Sequence, residues 1–144
     1  MAITLTDTAR QYIALFEDVT GSTARDCIVD EAEDRVVFVV AADQMGQAIG
    51  PDGQNVRKLE ENIGADVELV KNGVTAEEFV ANTLEPAAVY NVTISDGSEN
   101  DERVAYAEVA EEDKGVAIGT DGRNIEMARR LAARHFDVDD IQFA

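Results

Sequence analysis

Ten residues, Gly46-Gln47-Ala48-Ile49-Gly50-Pro51-Asp52-Gly53-Gln54-Asn55, return later in the chain as Gly115-Val116-Ala117-Ile118-Gly119-Thr120-Asp121-Gly122-Arg123-Asn124. Seven of the ten positions are identical, among them three glycines. This duplication constrains the fold more than any other feature, because whatever surrounds one copy must also surround the other. The 144 residues therefore read as two copies of one module of about 70 residues, near the lower limit for a domain. The expected boundaries are residues 1–72 and 73–144. Cores of that size are marginal alone, and the only linker candidate, 71–74, is short. The modules are thus expected to pack as a rigid pair.

Hydrophobic spacing gives both copies the same order of elements. In the first, Leu5, Ala9, Tyr12, Ile13, Phe16 and Val19 recur every three or four residues, as on an amphipathic helix. Thr4 or Thr6 is placed to cap it and Gly21 to stop it. Two β-rich runs, 26–30 and 35–40, flank an acidic turn. The second run, with Val-Val-Phe-Val-Val, is apolar on both faces and suits a central strand. A short helix over 43–49 runs into Gly50. A helix from Gln54 to about Asn62 follows, with Val56, Leu59 and Ile63 on one face, then a strand over 65–70. In the second copy Thr75-Ala76-Glu77-Glu78 forms a capping box, opening a helix to Leu84 that Pro86 ends. Tyr90, Val92 and Ile94 alternate with Asn91, Thr93 and Ser95 as in a half-buried strand. A turn at 96–101, a strand over 104–109, a short helix to Ile118, a helix over 123–134 and a strand over 138–143 complete it. Each module reads α-β-β-α-α-β, an α+β fold.

Charge and rare residues narrow the function classes. Asp and Glu number 30 against 12 Lys and Arg, for a formal net charge of −18. Phosphate partners ordinarily select basic surfaces. The acids are spread through ordered segments, however, and lysine is scarce (Lys58, Lys71 and Lys114), which fits a salt-rich cytoplasm. There the screening length is about 3 Å at 1 M salt. The longest apolar run, 36–42, is too short to cross a bilayer, and Thr4, Thr6 and Asp7 interrupt any signal-peptide core. A cytoplasmic location without a membrane partner is expected. One cysteine, Cys27, excludes an internal disulfide or a multi-cysteine zinc site and reads as a buried strand thiol. His135, the one histidine, falls at a helix C-terminus, suited to a dipole contact or surface exposure. No phosphate-binding Gly-x-x-x-x-Gly-Lys-Ser/Thr string is present. No enzymatic activity, cofactor or metal is expected.

The two Gly-x-x-Gly turns join pairs of helices. Ile49 and Ile118 precede them, and Val56 and Ile125 lie three positions beyond the second glycine. This pattern resembles the K-homology (KH) domain, and the element order resembles its type II variant. Two such modules in tandem, with Ala-Ile-Gly-Pro-Asp-Gly-Gln-Asn-Val-Arg-Lys-Leu and Ala-Ile-Gly-Thr-Asp-Gly-Arg-Asn-Ile, are similar to the NusA-like transcription factors across essentially the whole chain. The resemblance implies a transcription elongation and termination factor, a monomer that binds single-stranded nascent RNA near RNA polymerase. Two glycines let the backbone approach a sugar-phosphate strand closely. The helix that follows aims its positive end at phosphates, and KH loops clamp about four nucleotides.

The RNA-contacting set implied by the resemblance is Ile49, Gly50, Pro51, Asp52, Gly53, Gln54, Arg57 and Lys58 in the first module. In the second it is Lys114, Ile118, Gly119, Thr120, Asp121, Gly122, Arg123 and Arg130. The two isoleucines are expected to line a groove for bases. The loop interiors, Pro51-Asp52 and Thr120-Asp121, lack the positive charge usual in RNA-binding KH loops; each aspartate sits where an N-cap is expected. Between Lys114 and His135 five basic residues (Lys114, Arg123, Arg129, Arg130 and Arg134) face two acids (Asp121 and Glu126). Arg123, Met127, Arg130 and Arg134 are expected on one helix face, with Ile125, Ala128 and Ala132 on the opposite, core face. That favours the second module for RNA. A protein-interaction scaffold on polymerase or ribosome, and a ribosomal-RNA maturation factor, are the other readings of the same domains.

Overall fold

The structure is a computed structural model that describes residues 3–96 and 102–144; most of the turn expected at 96–101 lies outside them. The described chain divides into two compact units, one spanning Thr4–Asn72 and the other containing Gly73–Ala144. The first holds α1 (Asp7–Thr20), β1 (Ala24–Asp30), β2 (Arg35–Val40), α2 (Met45–Ile49), α3 (Gln54–Ile63) and β3 (Asp66–Lys71). The second holds α4 (Ala76–Thr83), β4 (Val89–Ser95), β5 (Val104–Val109), α5 (Lys114–Ile118), α6 (Arg123–Phe136) and β6 (Asp140–Phe143). Single 3₁₀ turns precede each short helix, over Ala42–Gln44 and Glu111–Asp113. The expected order is present in both units. None of the described helices is long and apolar enough to cross a membrane.

The sheets repeat as well. The strand orders are β1-β2-β3 and β4-β5-β6, with the first pair of each antiparallel and the second parallel. Parallel pairing needs a crossover, and the α2–α3 and α5–α6 pairs supply it. As expected, β2 is central, and all six of its residues are buried. The strand β3 runs to Lys71, and the Asn72 N–H bonds Val40 O at 2.9 Å, so the third strand takes up part of the expected linker.

Helix α1 starts where Thr6 accepts a hydrogen bond from the Ala9 N–H at 3.1 Å and ends at Gly21, whose φ is +69°. Its Phe16 ring stacks on Phe38 of β2 with centroids 4.7 Å apart. In the first core these rings pack with Val36, Val40, Ala48 and Leu59. The second core is built from smaller residues, Ala105, Ala107, Ala117, Ala128 and Ala132, around Val80 and Ile141. Thr75 accepts from the Glu78 N–H at 3.1 Å, and the Glu78 carboxylate accepts from the Val74 N–H at 3.2 Å. The second half of the capping box is thus made one residue early. His135 is half-buried against the Phe79 ring, with centroids 5.3 Å apart.

Two groups in the first unit have shifted pKa values. Arg35, its side chain 2% exposed, bonds Asp30 Oδ2 through Nε at 2.8 Å and Glu68 Oε2 through Nη1 at 3.0 Å. Burial works against its charge, but the hydrogen bonds and charges of Asp30 and Glu68 outweigh it and hold the guanidinium above its ordinary pKa. Burial, with a smaller contribution from the charge of Asp26, pushes the Cys27 thiol up to about 12.

Three side-chain environments differ from expectation. Tyr90 is 71% exposed, because a bulge between Val89 and Asn91 breaks the two-residue alternation. Met127 is buried at 6% although helix periodicity keeps it on the side of α6 that carries Arg123 and Arg130, so that side is not simply solvated. Asp52 and Asp121 are not caps, as the loop geometry shows.

Candidate nucleic-acid interface

Each Gly-x-x-Gly turn begins where a five-residue helix ends. Helices that short do not persist alone, so α2 and α5 depend on their surroundings. Gly50 N–H bonds Gly46 O at 3.0 Å, and Gly119 N–H bonds Gly115 O at 2.9 Å. The backbone then turns sharply, with φ 78°, ψ 168° at Gly50 and φ 77°, ψ 170° at Gly119. That region is essentially restricted to glycine. Space excludes a side chain too: a Cβ on Gly50 falls 2.8 Å from Asn55 Nδ2, and one on Gly119 falls 2.7 Å from Asn124 Cγ.

Those asparagines are what the sequence reading missed. Asn55 donates from Nδ2 to Gln47 O at 3.0 Å, and Asn124 donates to Val116 O at 2.9 Å. Each amide reaches from the first turn of the longer helix to a carbonyl in the last turn of the shorter one, a group with no partner of its own within the helix. The bond therefore ties two helices across the loop and packs against the glycine that starts it. A signal was available. Asn is the tenth residue of the repeat and one of its identities.

Beyond the glycine the loops remain superimposable in their dihedral angles. Asp52 has φ 55°, ψ 28° and Asp121 φ 55°, ψ 25°. Gly53 and Gly122 follow in the left-handed region and are themselves the N-caps of α3 and α6, with no side-chain cap bond. The aspartates therefore serve the turn and not the helix. A capping side chain needs an extended backbone, whereas left-handed backbone selects Gly, Asn and Asp. The amides also differ from expectation. Gly53 and Gly122 N–H bond Gly50 and Gly119 O at 3.1 Å. The N–H groups of Gln54 and Arg123 bond Pro51 and Thr120 O. These donors close the loop on itself.

Side chains around the loops fall into two groups. Ile49 and Ile118 are 39% and 40% exposed, while Ala48 and Ala117 beneath them are buried. Gln54 is exposed, as are Arg57 and Lys58 on α3. Arg57 donates to Asp52 O at 2.5 Å, which lays its guanidinium over the loop. In the second module Lys114 pairs with Glu111 at 2.9 Å. Arg123 follows Gly122 directly, and exposed Arg130 lies about 10 Å further along α6. Arg129 is committed elsewhere, to Glu126 at 3.0 Å, Asp140 at 2.8 Å and Ile141 O at 3.1 Å, holding α6 on β6. The structure thus gathers Ile49 to Gln54 with Arg57, and Ile118 to Arg123; Lys58 is exposed further along α3, while Lys114 at the opposite end of α5 and Arg130 along α6 stand apart from the second loop.

Equivalent positions diverge in one place. Gln47 donates from Nε2 to Thr20 O at 3.2 Å, tying α2 to the end of α1. The second copy has Val116 there, 46% exposed. The short helix of the second module therefore shows two apolar side chains, Val116 and Ile118, where the first shows Ile49.

Comparison with known proteins agrees with this geometry. A KH-domain family matches residues 10–74 and the NusA-like second KH domain matches residues 76–144. The chain is 63% identical over 142 residues to the probable transcription termination protein NusA of Halobacterium salinarum, covering 99% of each. It is 60% identical over 144 residues to the protein of that name from Halococcus morrhuae, covering 100% of each. The crystal structure of APE1850 matches with a TM-score of 0.84 at 31% identity, covering 97% of this chain and 100% of that one. Matched from end to end, and carrying the same locked loop twice, the chain belongs to the NusA family of tandem KH-domain proteins.

Proposed function

We propose that this chain is an RNA-binding transcription termination factor that takes single-stranded nascent RNA at its two Gly-x-x-Gly loops. The observation that carries the reading is the loop itself: a glycine-only corner, locked by asparagine, built identically in both modules. A tight structural turn needs no second identical copy with an exposed isoleucine beside it. The proposed contacts are Ile49 to Gln54 with Arg57 and Lys58, and Lys114 with Ile118 to Arg123, Arg130 extending the second set. The second module is the stronger binder, because Val116 enlarges its apolar surface and Thr120 keeps the amide N–H that Pro51 lacks. In this reading the factor works as a cytoplasmic monomer beside RNA polymerase.

A second reading has its own support. Both loops carry an aspartate and turn several amides inward, which suits a protein-docking scaffold on polymerase or ribosome. Binding of an unstructured RNA oligonucleotide in molar potassium chloride, to wild type, Gly50→Asp and Gly119→Asp, separates the two. Loss of affinity in either variant supports the loops as RNA sites; wild-type affinity in both means the scaffold reading holds.

A further inference from the structure

The bulge that exposes Tyr90 has a twin. In the first module the β1–β2 register slips between Ala24 and Asp26, and in the second the β4–β5 register slips between Val89 and Asn91. The residues pushed out are Arg25 and Tyr90, both exposed. The framework around them repeats bond for bond. Ala41 N–H bonds Thr23 O at 3.1 Å, and Ala110 N–H bonds Ala88 O at 2.9 Å. Thr23 N–H bonds Gln44 Oε1 at 2.6 Å, and Ala88 N–H bonds Asp113 Oδ2 at 2.8 Å. Gln44 and Asp113 immediately precede α2 and α5. Each bulge is therefore pinned beside the start of the short helix whose other end is the Gly-x-x-Gly turn.

Edge protection explains a bulge but not these side chains. β1 and β4 are edge strands, and bulges discourage edge pairing; any polar residue serves that purpose. Tyr90 is the most exposed aromatic ring among the described residues, far above Tyr106 at 37%. Arg25 makes no ion pair among the described residues, although acids outnumber bases 30 to 12. Tyrosine and arginine share one property, a flat face on which a base can stack. Stacking also suits a chain of net charge −18, because it does not depend on the electrostatic attraction this protein lacks. From Asp113, which pins the second bulge, to Gly119 the short helix rises about 9 Å, the span of two to three bases stacked at about 3.4 Å each.

We propose that Arg25 and Tyr90 are base-stacking positions that extend each RNA site from the Gly-x-x-Gly loop to the far end of the short helix. The proposal rests on the RNA-binding reading above and adds two contacts to it. The test uses the full chain, an unstructured RNA oligonucleotide and molar potassium chloride. Tyr90→Ala is expected to weaken binding about ten-fold, the loss of one stacked base, while Tyr90→Phe keeps wild-type affinity. Arg25→Ala is expected to weaken binding less, and Arg25→Lys not to restore it, since lysine has no planar face. Unchanged melting temperatures show that the fold is intact. If Tyr90→Ala and Arg25→Ala bind as wild type while Gly119→Asp does not, the bulges only guard the sheet edges and the proposal is overturned. If Tyr90→Ala loses affinity while Gly50→Asp and Gly119→Asp keep it, the stacking site stands and the loops are not the RNA sites. Absence of RNA binding by wild type overturns both.

Discussion

The two modules have the same loop and different bodies. Their Gly-x-x-Gly dihedral angles agree within a few degrees, and the asparagine bonds agree within 0.1 Å. Around that constant piece, within the same topology, the side-chain packing differs. The first module packs paired phenylalanines and a fully buried central strand; the second packs alanines beneath a strand, β5, that alternates between buried and exposed. The first ties its short helix to α1 through Gln47; the second leaves Val116 exposed at that place. Loop geometry is thus separable from core composition. It is fixed by short-range contacts, and the core has only to supply a platform of the right shape.

The sharpest way to break this comparison is through the loop glycines. Gly119→Asp is expected to remove about 100-fold or more of RNA affinity, and Gly50→Asp about ten-fold. In each case strain of roughly 1–3 kcal/mol adds to the collision with asparagine. Titration of both variants against one oligonucleotide reads the ratio, and equal losses mean that the modules share the load. The buried arginine comes next. Arg35→Ala leaves Asp30 and Glu68 facing an empty site and is expected to cost about 3 kcal/mol in chemical denaturation, the low end for a broken buried pair because Glu68 is partly exposed. Arg103→Ala in the second module, whose side chain is 35% exposed beside Asp96, is expected to cost about 1 kcal/mol or less. A reversed order contradicts the assignment of Arg35 as the buried ionic centre.

Matched changes test what the modules have in common. Asn55→Ala and Asn124→Ala each remove one hydrogen bond and the packing against a glycine, at about 1 kcal/mol, with similar effects in both. A loss in only one of them means that the lock is decorative in the other. The smallest effect concerns Cys27, which has no counterpart in the second module. It is expected to resist alkylation at pH 8 until the chain is unfolded. With its folded pKa pushed up to about 12 from an ordinary value of 9.0, the native thiol keeps its proton after the unfolded one has lost it. Its contribution is therefore complete below pH 9 and declines as pH rises toward 12. A Cys27→Ala variant isolates this alkaline slope; the same slope in both proteins rules the thiol out as its source.

Much of the molecule is legible in its sequence. The duplicated decapeptide, the helix periodicities and the Val-Val-Phe-Val-Val strand determine two α-β-β-α-α-β modules, a central β2 and two Gly-x-x-Gly turns. These features depend on residues a few positions apart, where sterics and hydrogen bonds act directly. The tertiary structure alone decided the rest. Tyr90 turns outward because β4 slips its register against β5, a partner distant in sequence. Arg129 is tied to Asp140 because β6 folds back to meet it, and Met127 is buried although it shares a side of α6 with Arg123 and Arg130. Asp52 and Asp121 took their role from a left-handed backbone in a turn that Asn55 and Asn124 tie across. Local chemistry writes the backbone of the loop; which side chains remain free around it depends on strands and helices that reach it from elsewhere in the chain.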